Sequence, residues 1–120
     1  MLEVNFEFRK GILFIRLCGE LTKNTIKDFD LLVTKLISDN GIRNVVFNVS
    51  ELTCIDLKGI SRLFYNYELC KNNKGISLLC CIDNINIHEK IEGTRLFQYM
   101  TDFLISLQIF YPTENQKGFP

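Results

Sequence analysis

Alternation of apolar and polar residues at the beginning of the chain predicts a β-hairpin. Over residues 2–8 every second residue is apolar, and the residues between them are polar or charged. A period of two is typical of a strand with one solvated face. Lys10-Gly11 then provides a turn, and the apolar run over 12–17 supplies the second strand of the hairpin.

A helical period replaces this alternation in the next segment. Apolar residues recur at intervals of three and four over 26–37, which predicts an amphipathic helix. Gly41 follows Asp39-Asn40 and is expected to end the helix, because glycine readily adopts a positive φ. The residues that offer capping oxygens before the helix are Thr22, Asn24 and Thr25.

Two apolar runs without alternation, over 45–49 and 76–82, predict strands that are buried on both faces. Between them lies a second amphipathic helix, which Asp56 caps and whose apolar stripe runs from Ile60 to Cys70. The predicted elements further on are a third helix over 96–104 and an edge strand over 105–111, whereas 85–93 has no clear period.

The predicted element order is therefore β-β-α-β-α-β-α-β. Strand–helix–strand units place neighbouring strands parallel, and the hairpin adds an antiparallel strand. We expect an α/β fold in which one mixed sheet packs against helices. A chain of 120 residues fits one domain, which we expect to span residues 1–111, followed by a polar C-terminal tail over 112–120.

Charge and hydropathy argue against two classes of partner. The chain has 14 Lys and Arg against 14 Asp and Glu, so it lacks the basic excess typical of nucleic-acid binding. No apolar run approaches the roughly 20 residues that cross a bilayer, so we expect no membrane insertion. The first residues resemble no signal peptide, and we therefore expect a cytoplasmic protein.

The cysteines show no Cys-x-x-Cys spacing and lie in apolar stretches. We interpret them as buried free thiols of a reducing compartment. A redox role of the adjacent pair Cys80-Cys81 is the alternative, although neighbouring side chains of a strand point to opposite faces. The full set is Cys18, Cys54, Cys70, Cys80 and Cys81.

Side chains for catalysis are sparse. His88 is the only histidine, and no cluster has metal-ligand spacing, so we expect no metal and no cofactor. The glycine-rich phosphate loops and the Gly-x-Ser-x-Gly elbow are missing from the sequence. Asp28 and Asp30 lie beside Lys27, and we interpret them as a solvated helix face. We therefore expect no enzyme, with a thiol-dependent reaction at Cys54 as the alternative.

Residues 51–60 carry the candidate binding site. They are expected to connect a buried strand to a helix through an outward-facing loop that ends at Asp56, directly before Leu57. A helix start collects unpaired backbone N–H groups, and an exposed leucine there, without hydroxyl or charge, favours docking of a protein. The alternative is that Leu57 packs onto Ile60 or Leu21 as part of the core.

Several short stretches in a fixed order carry a family resemblance. They are Leu17-Cys18-Gly19-Glu20-Leu21 with Thr25, residues 42–49 with Leu52 and Ile55-Asp56, Gly59 at the helix start, and residues 74–78. On these residues the chain resembles the STAS domain, most closely the anti-sigma factor antagonists of Gram-positive bacteria. The resemblance extends in order over residues 1–111.

The resemblance implies a partner-switching module. In that family the antagonist binds an anti-sigma factor that is also a serine kinase, which frees a sigma factor. The kinase phosphorylates the serine after the loop aspartate, and an added charge of about −1.5 to −2 dissociates the complex. Here Leu57 and Lys58 stand where the family has two serines, and Thr22 replaces an acid. The nearby hydroxyls of Thr53 and Ser61 do not match the phosphorylated position.

We therefore predict a binding module that docks an anti-sigma factor kinase to regulate transcription, without a phosphorylation switch at residue 57. The alternative with the same fold is a cytoplasmic accessory subunit of a membrane transport ATPase, as in lipid-transport systems. The residues that we expect to contact the partner are Glu20, Thr22, Thr25, Asp56, Leu57, Lys58, Gly59, Ser61 and Arg62.

Overall fold

Among the described residues, four strands form one mixed sheet in the order β1-β2-β3-β4. The structure is a computed structural model, which describes residues 1–80 together with Ile87 and Lys90. Strand β1 pairs antiparallel with β2, whereas β2 with β3 and β3 with β4 are parallel, as predicted. The strands are β1 (Leu2–Arg9), β2 (Ile12–Leu21), β3 (Asn44–Ile55) and β4 (Ile76–Cys80).

The hairpin between β1 and β2 is confirmed. Arg9 pairs with Ile12, so the loop consists of Lys10 and Gly11 alone, with φ of 51° and 80°. Two positive φ angles give a two-residue loop whose twist matches that of the strands. The predicted apolar face of β1 is buried only near its beginning, and Phe8 is 60% exposed, because β1 has a strand neighbour on one side only among the described residues.

A continuous helical segment crosses from β2 to β3. Helix α1 (Ile26–Phe29) passes into a turn of π-helix (Asp30–Thr34) and then into helix α2 (Lys35–Asn40). Gly41 ends the segment with a φ of 59°, as predicted. The π turn was not predicted, because an extra residue in a turn leaves the apolar period almost unchanged over so short a segment.

The predicted capping of this helical segment is wrong. Thr25 occupies the N-cap position with a helical backbone, and its side chain makes no capping hydrogen bond. Its hydroxyl is instead used within the turn that precedes α1, where Thr22 also hydrogen-bonds. The local sequence could not distinguish a hydroxyl that caps the helix from one that hydrogen-bonds within the preceding turn, because both occur directly before the first helical residue.

The core lies between the sheet and the helices. Strand β3 is central, and its residues from Val45 to Val49 are buried, as expected of a strand with neighbours on both sides. The Phe29 ring of α1 lies 6.3 Å from the Phe47 ring of β3. Helix α3 (Leu57–Asn72) buries much of its predicted stripe, and burial raises the pKa of the Cys70 thiol to about 12.

The interpretation of all cysteines as buried is wrong for two of the three whose surroundings the structure describes. Cys54 is exposed and Cys18 is half-buried, whereas Cys70 is fully buried. Cys54 precedes Ile55 on β3, and successive side chains of a strand point to opposite faces, so only Ile55 faces the core. The side chain of Cys80 and all of Cys81 lie outside the described part of the chain.

Several predictions also fall outside the described residues and remain predictions. They are the helix over 96–104, the strand over 105–111, the tail over 112–120, the role of His88 and, apart from Ile87 and Lys90, the segment 85–93. Over residues 1–80, Ile87 and Lys90, no helix is both long and apolar enough to cross a membrane. The same residues contain no group of three or more His, Cys, Asp or Glu side chains that could hold a metal ion.

Candidate functional site

The connection between β3 and α3 is shorter than predicted. Residues 51–55, expected to belong to a loop, continue β3, and Asp56 alone separates the strand from the helix. Parallel pairing with β2 extends the strand, from Cys18 opposite Glu51 to Leu21 opposite Ile55. All of residues 51–55 except Thr53, where the register shifts, thus have ladder partners on β2 that the local sequence does not indicate.

Asp56 joins two segments that are more than thirty residues apart. One carboxylate oxygen, Oδ1, accepts a hydrogen bond of 2.9 Å from the Gly59 N–H in the first turn of α3. The other, Oδ2, accepts one of 2.9 Å from the Lys23 N–H in the turn before α1. The predicted N-cap is therefore confirmed, and the same side chain also fixes the position of a second turn.

The electrostatic balance at Asp56 favours the carboxylate. Burial by itself raises the pKa of Asp56, but backbone N–H groups of Gly59, Lys23 and Lys58 and the charge of Lys23 together hold the pKa below its ordinary value. The carboxylate is therefore ionised at neutral pH. It takes the place beside the positive end of the α3 dipole that an external anion would otherwise occupy.

Gly59 brings the start of α3 against the end of β2. A Cβ at this position would collide with the carbonyl oxygen of Leu21 and would lie 2.9 Å from the Leu21 carbonyl carbon. That carbonyl also accepts a hydrogen bond of 3.3 Å from the Asp56 N–H. Only glycine permits this close approach, so the residue that we expected to touch a partner instead sets the helix position.

Two predicted contact residues, Thr22 and Thr25, brace the turn from within. The Thr25 hydroxyl accepts a hydrogen bond of 3.0 Å from the Thr22 N–H and donates one of 2.9 Å to the Glu20 carbonyl. The Thr22 hydroxyl donates to the Glu20 carboxylate at 3.2 Å. Both threonines are buried, so their side chains shape the turn that carries Lys23.

The outermost residues are Lys23, Leu57 and Lys58. The Leu57 side chain is 75% exposed, so the alternative in which it packs onto Ile60 or Leu21 is not observed. Lys23 and Lys58 are also exposed. We call the group Lys23, Asp56, Leu57 and Lys58 the tip. Its backbone is fixed by hydrogen bonds and its apolar side chain faces solvent.

Arg62 lies one turn beyond the tip and is engaged within the chain. Its Nη2 and Nε lie 2.9 and 3.0 Å from Asp30 Oδ1, and its guanidinium lies 4.4 Å from the centroid of the Tyr65 ring. The interpretation of Asp30 as part of a solvated face is thus wrong. Its carboxylate also accepts a hydrogen bond of 2.9 Å from the Thr34 hydroxyl.

Sequence reasoning missed this link between the π turn and α3. Below the Asp30–Arg62 pair, Asn66 Nδ2 donates to the Thr34 hydroxyl at 3.0 Å. Asp30 and Thr34 are four residues apart, as are Arg62 and Asn66. Polar residues four positions apart lie on the same face of a helix, so these two pairs were the sequence signal that could have indicated a polar contact between the two helices.

The two nearby hydroxyls differ in their surroundings. Thr53 Oγ1 donates a hydrogen bond of 3.0 Å to the Gly19 carbonyl, although the residue is exposed. Ser61 is exposed on α3, one turn after Leu57. Neither residue occupies the position directly after Asp56.

The sequence profile of the STAS domain matches residues 3–116, which is almost the whole chain. The chain belongs to the STAS domain family. A relative in Paenibacillus polymyxa, an anti-sigma F factor antagonist, is 26% identical over 99 residues that cover 82% of this chain and 84% of the relative. The resemblance seen in the sequence is therefore confirmed.

Solved structures of anti-sigma factor antagonists share the fold. The Bacillus cell fate determinant SpoIIAA, in its phosphorylated form, matches with a TM-score of 0.65 at 15% identity over 84% of this chain and 87% of that one. An anti-sigma factor antagonist of Mycobacterium paratuberculosis matches with a TM-score of 0.64 at 13% identity over 98% and 92%. At such low identity these structures establish the fold alone, which confirms the predicted α/β architecture.

Proposed function

We propose that this protein is a cytoplasmic binding module of the anti-sigma factor antagonist type, which docks a kinase-type anti-sigma factor and so regulates transcription. The named relative is an antagonist of an anti-sigma factor, and we propose a non-catalytic binding role for this chain as well. The partner of this chain is inferred from that relative and from the surface of the tip.

The observation that carries the proposal is the exposure of Leu57 on a rigid backbone. Asp56 and Gly59 tie the start of α3 to the turn before α1 and to the end of β2. A leucine exposed at such a place can bury its side chain in a partner without ordering a loop first, so less entropy is lost on binding. Charged and polar neighbours around a central apolar anchor are typical of a binding hot spot.

The proposed docking is not released by phosphorylation at residue 57, because leucine has no hydroxyl. The exposed hydroxyl of Ser61 lies on the following turn, outside the hydrogen bonds that Asp56 makes with the helix start. We therefore expect a complex that persists when the kinase is supplied with ATP. The same geometry argues against a catalytic role for the tip, since Asp56 is committed to backbone N–H groups.

Titration calorimetry with the purified anti-sigma factor kinases encoded in the same genome tests the proposal. We expect one kinase to bind the wild type and Leu57→Asp to weaken that binding at least about a hundredfold, since it places a charge in an apolar contact. Leu31→Asp is the matched control, because Leu31 is 61% exposed on the other helical segment. The proposal would be contradicted if no kinase bound the wild type. It would also be contradicted if Leu57→Asp and Leu31→Asp weakened the binding equally.

The phosphorylation claim has a separate measurement. The complex is incubated with ATP, and the intact mass of this chain is compared with that of a serine-bearing variant, Leu57→Ser. We expect the wild type to keep its mass. A gain of one phosphate by the wild type would show that another hydroxyl serves as the acceptor.

The alternative of a transport-complex subunit is not favoured by the relatives named above.

A further inference from the structure

The exposed charges of the tip are of one sign. Lys23 and Lys58 are both exposed, and Lys58 directly follows Leu57. The Lys23 N–H donates a hydrogen bond of 2.9 Å to Asp56 Oδ2, which places Lys23 beside the start of α3. Leucine and two flanking lysines therefore form the outer face of the tip.

The acidic groups nearby are turned towards the protein. Asp56 is half-buried, and its two oxygens accept hydrogen bonds from backbone N–H groups. Glu20 is also half-buried, and its carboxylate accepts a hydrogen bond from Thr22. These carboxylates are therefore less exposed than the two lysines.

The remaining charges near the tip cancel locally. Arg62 is neutralised by Asp30 in direct contact. Lys27 and Asp28 are adjacent and both exposed in the first turn of α1. The ionised Asp56 offsets part of the positive charge, but its oxygens accept hydrogen bonds from backbone N–H groups, so the exposed charges of the tip itself are Lys23 and Lys58.

We propose that the partner surface that receives the tip is an apolar socket rimmed by carboxylates. The inference rests on the proposed function and specifies the chemistry of the partner's surface. Leu57 fills the socket, while Lys23 and Lys58 pair with acidic side chains at its rim. Charges at a rim act mainly on the association rate and on selectivity, because they attract the correct surface and repel a basic one.

Stopped-flow association kinetics with the anti-sigma factor kinase that binds in the calorimetric test measure this effect. The variants are Lys23→Glu, Lys58→Glu and, as matched control, Lys71→Glu, which is exposed on the same helix about 20 Å from Lys58. Thermal unfolding first verifies that each variant is folded.

We expect each reversal at the tip to lower the association rate constant about fivefold to tenfold at about 0.01 M salt. The loss should shrink at about 0.15 M salt, where the Debye length falls from about 30 Å to about 8 Å. At about 0.15 M salt Lys71→Glu should change the rate constant less than about twofold, because its charge lies about 20 Å from Lys58, more than two Debye lengths. At about 0.01 M salt its effect should stay smaller than that of either reversal at the tip, because the Coulomb energy falls with distance.

The outcomes separate this inference from the proposed function. Unchanged or faster association of Lys23→Glu and Lys58→Glu, with Leu57→Asp still disrupting the complex, would overturn the acidic rim and leave the docking proposal intact. Equal losses for all three lysine variants would also overturn it, because the association rate would then depend on the net charge of the protein and not on local pairs at the tip. Failure of every genomic kinase to bind the wild type would overturn the docking proposal and the acidic rim with it.

Discussion

Removal of the Asp56 carboxylate is the most informative perturbation of the tip. Asp56→Ala deletes both acceptors, one for the Gly59 N–H and one for the Lys23 N–H. Loss of an N-cap costs about 1 kcal/mol, and loss of a further hydrogen bond at a partly exposed site adds about 0.5–1 kcal/mol. We therefore expect the free energy of unfolding to fall by about 1.5–2 kcal/mol at pH 7.

The pH dependence of this loss follows from the lowered pKa of Asp56. A group whose pKa is lower in the folded state stabilises the fold above its unfolded pKa, about 3.9 for aspartate, and loses that effect as the pH falls through the folded value. The difference between wild type and Asp56→Ala should thus be constant from pH 7 to about pH 4.5 and should shrink below that. Asp56→Asn should show an intermediate loss, since its single oxygen can replace only one acceptor.

Urea unfolding at a series of pH values, from 7 to the lowest at which the wild type folds, measures these differences. Asp39→Ala is the control, because Asp39 forms an exposed ion pair with Lys35 at 3.0 Å. Such pairs contribute about 0.3–0.5 kcal/mol. If Asp56→Ala cost no more than Asp39→Ala, or if its cost were unchanged at the lowest pH, the bridging role of the carboxylate would be refuted.

Three further predictions concern the neighbouring packing. Gly59→Ala should lower the free energy of unfolding by about 1–3 kcal/mol in urea titration, because its Cβ would displace backbone of β2. In the native protein, iodoacetamide should modify exposed Cys54 and spare Cys70, whose burial raises its pKa to about 12, as peptide mapping would show. A double-mutant cycle of Asp30→Ala and Arg62→Ala should give a coupling of about 0.5–1 kcal/mol.

Each of these measurements has a control within the chain. Ser61→Ala, at an exposed position of the same helix, should leave stability within about 0.5 kcal/mol. Cys70 should react once urea unfolds the protein, and modification of Cys70 as fast as Cys54 in the native state would contradict its burial. A coupling near zero would show that Asp30 and Arg62 are adjacent without stabilising each other.

Short-range sequence signals predicted the parts of this protein that depend on neighbouring residues. The hairpin turn needed only Lys10-Gly11 between two alternating runs, and the end of the first helical segment needed only Gly41. Asp56 was identified as a cap because a carboxylate directly before an apolar stripe suits the N–H groups of a helix start. The exposure of Leu57 was one of two alternatives that the sequence left open.

Tertiary structure alone decided the contacts that join distant segments. Residues 51–55 became strand because β2 supplied a ladder, and Asp56 reached the Lys23 N–H because that pairing brought the two turns together. The hydroxyls of Thr22 and Thr25 likewise donate to Glu20 near the end of β2, which the local sequence did not indicate. A propensity or a period describes how a residue suits its own segment, whereas the partner of a hydrogen bond is set by which segments the packed core brings within about 3 Å of each other.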